Sequence, residues 1–308
     1  MARTKTPAVR QLRYEVANSG TPNTETSHYV DIARDLAAIN RRMMEQGRVY
    51  HIGKITVVSR NTIPAPGQQA GFVSASAAPT SWAVLNAVKH GKRMFEEMKK
   101  KAKKGVEMQD GRYADFKIRG LHSGAPAPTY LVPKDNGGND LQLGEWTYTR
   151  FWTPDGTTSA DDFLSHLLGQ NIGVPGAVSS VGLVESYGNT RSTVQGGIPN
   201  PIQDTDDPLA NLFDDGTQTD EVIGDATFHN ENPPYDIDEY VGAAGNMPRP
   251  IVMQHGTLGA DGRLTLGGFA AVHGLIEFEV SSPIANDVYS ILVELKEGPY
   301  KGIKAEAC

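Results

Sequence analysis

The sequence holds a single cysteine, and it is the last residue, Cys308. One thiol cannot form an intrachain disulfide or a multi-thiolate metal centre, so stability has to come from packing. Long apolar runs are missing too. The most apolar late stretch, 267–276, contains His273 and runs into Glu277 and Glu279, and nothing reaches the roughly 20 apolar residues of a membrane span. Residues Met1 to Pro7 lead into no apolar core of signal-peptide length, so export by that route is not expected. The eight histidines never fall within four residues of one another, which excludes a helical His-Glu-x-x-His zinc pair and the closely spaced histidines of a cupin. No Gly-x-x-x-x-Gly-Lys-Ser/Thr phosphate cradle occurs, and Ser123 in Gly120-Leu-His-Ser-Gly lacks the spacing of a nucleophile elbow. No catalytic residue and no cofactor is expected.

What is present is the composition of a folded, β-rich chain. Hydrophobic residues make up 39% and charged residues only 21%, enough to bury a core. The 33 glycines and 19 prolines suit many short strands joined by turns better than a helical bundle. Ile52, Ile55, Val57 and Val58 mark a strand over 51–60, and 71–76 reads as another. The segments 113–119 and 145–152, the second with Trp146, Tyr148, Phe151 and Trp152, also read as strands. Ile251–Leu258 and Arg263–Leu266 flank Asp261-Gly262, a favoured hairpin turn, and 274–280 and 288–295 follow as closing strands. Helical spacing predicts helices over 29–46, with Ser27 as cap and Gly47 as stop, over 81–103, and briefly over 159–168. No repeat of 20 to 50 residues is present, which argues against solenoids and propellers.

Charge divides the chain. Residues 1–119 carry 21 cations and 10 anions, a net +11, whereas 120–308 carry 8 and 26, a net −18. Between Ser192 and Pro248 there are twelve acids and no Lys or Arg, with prolines throughout, so this part reads as acidic surface loops. Its Asp214-Asp215-Gly216 fails as a calcium-binding helix-loop, because the third and twelfth positions would be Phe213 and Val222, but leaves a looser calcium site open. On the basic side, Arg3, Lys5, Arg10 and Arg13 precede the first acid. Lys89, Lys92, Arg93, Lys99, Lys100, Lys101, Lys103 and Lys104 outnumber Glu96 and Glu97 in the second helix. Such a stripe gives sequence-independent affinity for phosphates by releasing counterions, or contact with lipid headgroups; it also solvates a surface helix. The expected organisation is a flexible basic arm over 1–27 and one elaborated domain over 28–308, with the acidic insertion at about 192–248.

The basic arm, the helix of Trp82 to Lys104 set among strands and the closing strands of Gly274 to Leu295 resemble, as a layout, the jelly-roll capsid proteins of small tailless icosahedral viruses, particularly single-stranded DNA viruses of microbes. The resemblance implies a mainly β fold, a jelly-roll sandwich with a few inserted helices or two small rolls side by side. It implies a major capsid subunit in the virion. Its partners would be copies of itself, packaged nucleic acid or an internal membrane, and other virion proteins. Two other functions fit the residues. A carbohydrate- or receptor-binding sandwich would expose Trp146, Tyr148 and Trp152 on one face. An iron(II) oxygenase would use His229 and Glu231 with His255 or His273, although about one His-x-acid pair is expected by chance.

Overall fold

The computed structural model describes residues 8–59, 70–105, 111, 113–124, 130–152, 162–174, 177–190, 240–259 and 261–308. The chain opens with β1 (Gln11–Ala17) and β2 (Thr26–Asp31), passes through α1 (Ile32–Asn40), and continues as β3 (Arg48–Ser59) and β4 (Phe72–Ala77). An insert follows, with α2 (Trp82–Gly105), β5 (Gly120–His122), β6 (Phe151–Trp152), β7 (Asp162–Leu168), β8 (Ile172–Val174), β9 (Ala177–Gly182) and α3 (Leu183–Asn189). The closing part consists of β10 (Ile251–Thr257), β11 (Arg263–Leu266), β12 (Ala270–Val272), β13 (Leu275–Ser281) and β14 (Val288–Leu295). Three short strands end the chain: β15 (Glu297–Gly298), β16 (Gly302–Ile303) and β17 (Ala305–Ala307).

Four antiparallel pairs are nested inside one another: β1 with β14, β2 with β13, β3 with β11, and β4 with β10. A ribbon paired in this way and rolled up gives two facing sheets, β1-β14-β3-β11 and β10-β4-β13-β2, which is the winding of a jelly roll. The protein is therefore a mainly β sandwich with inserted helices, and the described residues form one such roll. β12 and β17 flank the first half of β3, lengthening the first sheet at one end.

Alternation along each strand explains the core between the sheets. In β1, Leu12, Tyr14 and Val16 point inward while Arg13 and Glu15 stay half-buried on the other face. Across from them Tyr289, Ile291, Val293 and Leu295 of β14 are buried, joined by Ile52, Ile55 and Val57 of β3 and Ile276, Phe278 and Val280 of β13. The open side of the sandwich is closed by the insert. The Leu131 N–H donates to the Tyr29 carbonyl on β2 at 2.8 Å, and the Lys134 N–H donates to the Arg13 carbonyl on β1 at 2.7 Å. Two strand edges that would otherwise invite stray pairing are thus covered.

The structure corrects several sequence expectations. Gln11–Ala17 is a core strand, so the flexible arm expected over 1–27 does not extend through it. The first helix starts at Ile32 because Asp31 accepts the Arg34 N–H as a cap, and it stops at Arg41, which turns left-handed at φ 49° well before Gly47. Residues 162–168 form β7 rather than a helix: pairing in parallel with β5 and β9 outweighs the weak propensity of so short a helix. Of 113–119 and 145–152 only Phe151–Trp152 is a strand, since Lys117 and Thr149 share a single reciprocal contact and the Ile118 N–H is taken by the Gln46 side chain. The turn at Asp261-Gly262 does not close a hairpin. Leu258 bonds to Gly71 and Ser59 bonds to Gly262, so β10 is drawn into one sheet and β11 into the other. The acidic insertion lies outside the described residues up to 239.

Gly274, between β12 and β13, has φ +70°, and a Cβ there would sit 3.1 Å from Ile32 Cβ and from the Tyr50 ring. Gly274→Ala is expected to destabilise the roll by about 1–3 kcal/mol, read as a lower urea midpoint at unchanged slope.

Candidate polyanion-binding helix

The longest helix, α2, begins where the Ser81 hydroxyl accepts the Val84 N–H at 3.3 Å. Its 24 residues span about 36 Å. The first half is embedded: Val84, Ala87 and Val88 are buried in a second apolar cluster with Phe116, Ile118, Leu121, Leu167, Leu168, Leu183 and Val184. Gly91 lets the helix close on this cluster, for a Cβ there would lie 2.9 Å from the Phe116 ring and 3.0 Å from Leu183. Phe95, half-buried and 6.0 Å from the Phe116 ring, is the last anchor, with the Lys99 ammonium 5.4 Å over it. Beyond it Glu96, Glu97 and the run Lys100 to Lys104 are exposed. The helix is held at one end and projects at the other.

Of the basic residues expected to act together, the eight on α2 do share one element. Lys89, Lys92 and Arg93 are exposed on its embedded half, Arg93 pairing with Glu97 at 3.2 Å, and Lys103 and Lys104 also favour the carbonyl end of the helix dipole. Arg10 and Arg13 are elsewhere and engaged: Arg10 lies 3.8 Å from Glu297, and Arg13 bonds Glu15, Ser290 and the Asp135 carbonyl. Both therefore serve the roll's own surface. Arg3 and Lys5 lie outside the described residues.

The aromatic platform does not form as a common face. Trp146 packs against the core between the sheets with the Lys117 ammonium 4.8 Å over its ring, whereas Tyr148 packs against the second cluster. The Trp152 side chain is outside the described residues, as are His229 and Glu231. His255 sits exposed on β10 beside Phe72, and His273 is fully buried against Phe116. Among the described residues no three His, Cys, Asp or Glu side chains come together to hold a metal.

Three buried polar groupings escaped sequence reasoning. His122 accepts the Gly124 N–H at Nδ1 (3.0 Å), so its Nε2 faces Glu277 (3.5 Å) and the Tyr29 hydroxyl (3.3 Å), tying the insert to β13 and β2. Burial pushes the Glu277 carboxyl up, but the contacts with His122, Ser27 and Tyr29 together outweigh it and hold the group below its ordinary range. His166 and Ser180 meet at 2.8 Å, a nucleophile-base distance, yet they are 1% and 0% exposed and the other imidazole nitrogen is held by the Gln170 carbonyl. A substrate cannot reach that pair, which staples β7 to β9. The third grouping surrounds Asp31 and Asp35, with Arg34, Tyr14 and Gln46. None of these shows as a short motif, because the partners come from separate elements, 14 residues apart for His166 and Ser180 and 93 for Tyr29 and His122.

Compared with models of protein families, with curated proteins and with solved structures, the chain matches none. No helix among the described residues is long and apolar enough to cross a membrane.

Burial pushes His166 down to about 4 and His273 to about 3, the latter aided by Lys92. Both rings stay uncharged in the fold, so the stability tied to them is present above about pH 6.5 and is lost as the pH falls through those values. His273 has φ +58°, a conformation asparagine tolerates. In thermal melts followed by circular dichroism, His273→Asn should lose less melting temperature than the wild type between pH 7 and pH 4. Parallel profiles would assign the acid sensitivity elsewhere.

Proposed function

We propose that this protein is the structural subunit of a self-assembling shell of the viral capsid type. The observation that carries the reading is the single jelly roll, whose loops and insert are free to meet neighbours while its β1 and β2 edges are covered by its own chain. Repeated contacts between copies of one chain generate closed shells when the rotations close. The opposite charges of the two parts of the sequence, +11 and −18, favour head-to-tail registry over face-to-face association. A virion location follows from this reading.

The projecting half of α2 is proposed to face a packaged nucleic acid. Lys100, Lys101 and Lys104 are exposed there, and among the described residues of this half of the helix beyond Phe95 the apolar side chains are Met98 and Ala102, too little to insert into a bilayer. The contacts would neutralise phosphates rather than stack bases, since no aromatic residue follows Phe95 on the helix.

Negative-stain electron microscopy and sedimentation of the purified protein across low to high salt test the assembly. Closed particles in some condition are expected, and monomers in every one would overturn the proposal. The triple variant Lys100→Glu, Lys101→Glu, Lys104→Glu should change unfolding free energy by no more than about 0.5 kcal/mol. It should lower the slope of log affinity for DNA against log salt by roughly 3. An unchanged slope would remove nucleic acid as the partner of this helix.

A further inference from the structure

We infer that the insert is seated on the roll by a proton-holding latch, built from Asp31, Arg34, Asp35 and Gln46, that tightens when it takes up a proton and slackens as the solution turns alkaline. The latch joins four separate stretches of chain. On the roll, the Tyr14 hydroxyl of β1 donates to Asp35 Oδ2 at 2.6 Å, Arg34 Nε donates to Asp35 Oδ1 at 2.8 Å, and Gln46 Nε2 donates to Asp31 Oδ2 at 2.9 Å. On the insert, the same two bridging residues reach outward. Arg34 donates to the Leu131 carbonyl at 2.5 Å, and Gln46 Oε1 accepts the Ile118 N–H at 2.6 Å while its backbone N–H donates to Asp115 at 2.9 Å. Asp31 and Asp35 are both 0% exposed.

The charges in this joint do not balance. Two fully buried carboxyls, Asp31 and Asp35, lie against one ion-paired cation, Arg34, while the partly exposed Asp115 faces Lys117, so full ionisation leaves one negative charge at the joint. The surrounding phenols, Tyr14, Tyr50, Tyr130 and Tyr148, are all pushed up, chiefly by burial, and stay neutral. Glu45, which faces Asp115, is already paired with Arg48 at 2.7 Å. An enclosed net charge is expensive, and one bound proton removes it. Accordingly burial pushes Asp31 up to about 6 and Asp35 to about 7, with Arg34 pulling both back.

Lifting the insert hydrates these carboxyls and returns them towards about 4. The seated form therefore binds the extra proton. Its advantage is complete below the ordinary carboxylate range and is lost as the pH rises through about 7. His166 and His273 titrate lower and in the opposite sense, and the His122–Glu277 contact, which also seats the insert, is separated from the latch by comparing the wild type with Asp35→Asn.

Hydrogen exchange with mass spectrometry tests this on the whole chain, comparing peptides that contain Ile118 and Leu131 with peptides from β14, after correction for intrinsic rates. From pH 6 to pH 8 the wild-type insert should lose about ten-fold in protection relative to β14, and Asp35→Asn about two-fold or less. Asparagine keeps the shape and the Arg34 contact through its carbonyl, while its amide reverses the hydrogen bond with the Tyr14 hydroxyl. Wild-type protection that is flat or rises with pH, or an Asp35→Asn profile as steep as the wild type, would overturn the latch. Should that variant not fold, Asp31→Asn, which removes the other buried carboxyl, is compared with the wild type in its place, and a profile as steep as the wild type again overturns the latch.

Discussion

A ribbon rolled into a sandwich has to bring its first strand beside its last, and the pairing of Gln11–Ala17 with Val288–Leu295 is the constraint on which the rest of this molecule depends. It places Tyr14 opposite Ile291 and fixes which face of each strand points inward, since a slip of one residue would turn Leu12, Tyr14 and Val16 outward. The three inner pairs inherit their register from it. The same constraint explains why a long insert is tolerated. Ala77 lies directly opposite Ile251, so the chain leaves and rejoins the roll at neighbouring positions, as it would around a hairpin loop. Everything between them lengthens a loop, whose closing entropy rises only slowly with length.

An insert so placed still has apolar surface of its own to bury, and it buries it on the roll. β13 is consequently covered on both faces: Ile276, Phe278 and Val280 serve the core between the sheets, while Leu275 and Glu277 meet the insert. That double burial decides which parts of the sequence were legible. β3, β14 and α2 carry a clear period on one covered face, and their positions could be read directly. β7 could not, because Ser165 to Leu168 are all buried and the alternation that marks a half-buried strand is erased. β1 is a different case. Its Leu-Arg-Tyr-Glu-Val alternation was in plain view, but the neighbouring cations suggested an arm, and the hydrophobic period was the better guide.

The candidate site was legible in part for the same reason. The lysines of α2 form a continuous run on one element, so their grouping survives folding, whereas Arg10 and Arg13 were grouped with Arg3 and Lys5 by sequence proximity alone and are spent on Glu297 and Glu15. What no local pattern discloses is how far α2 is embedded. That depends on Phe116 and Leu183, residues from well-separated parts of the insert, closing over Gly91. The distinction between a buried anchor and a projecting basic end is a property of the packed insert and not of the helix sequence.

The Asp31 and Asp35 joint is the extreme case, assembled from residues near positions 14, 31–35, 46 and 115–131. Its energetic weight can be bounded. A carboxyl raised by about three units contributes no more than about 4 kcal/mol across its full titration, and less over the part of it that lies above pH 6. The apolar seat beside it includes Tyr29, Val49, Val272 and Leu275 from the roll, at roughly 1.5–3 kcal/mol for each buried side chain. The seat therefore outweighs the latch, and the insert remains docked at either protonation state. What the proton changes is how often the insert lifts. A joint of that kind suits a subunit whose loops must adjust to neighbours while its roll stays closed, because the part that yields is the part held by charge and the part that persists is held by packing.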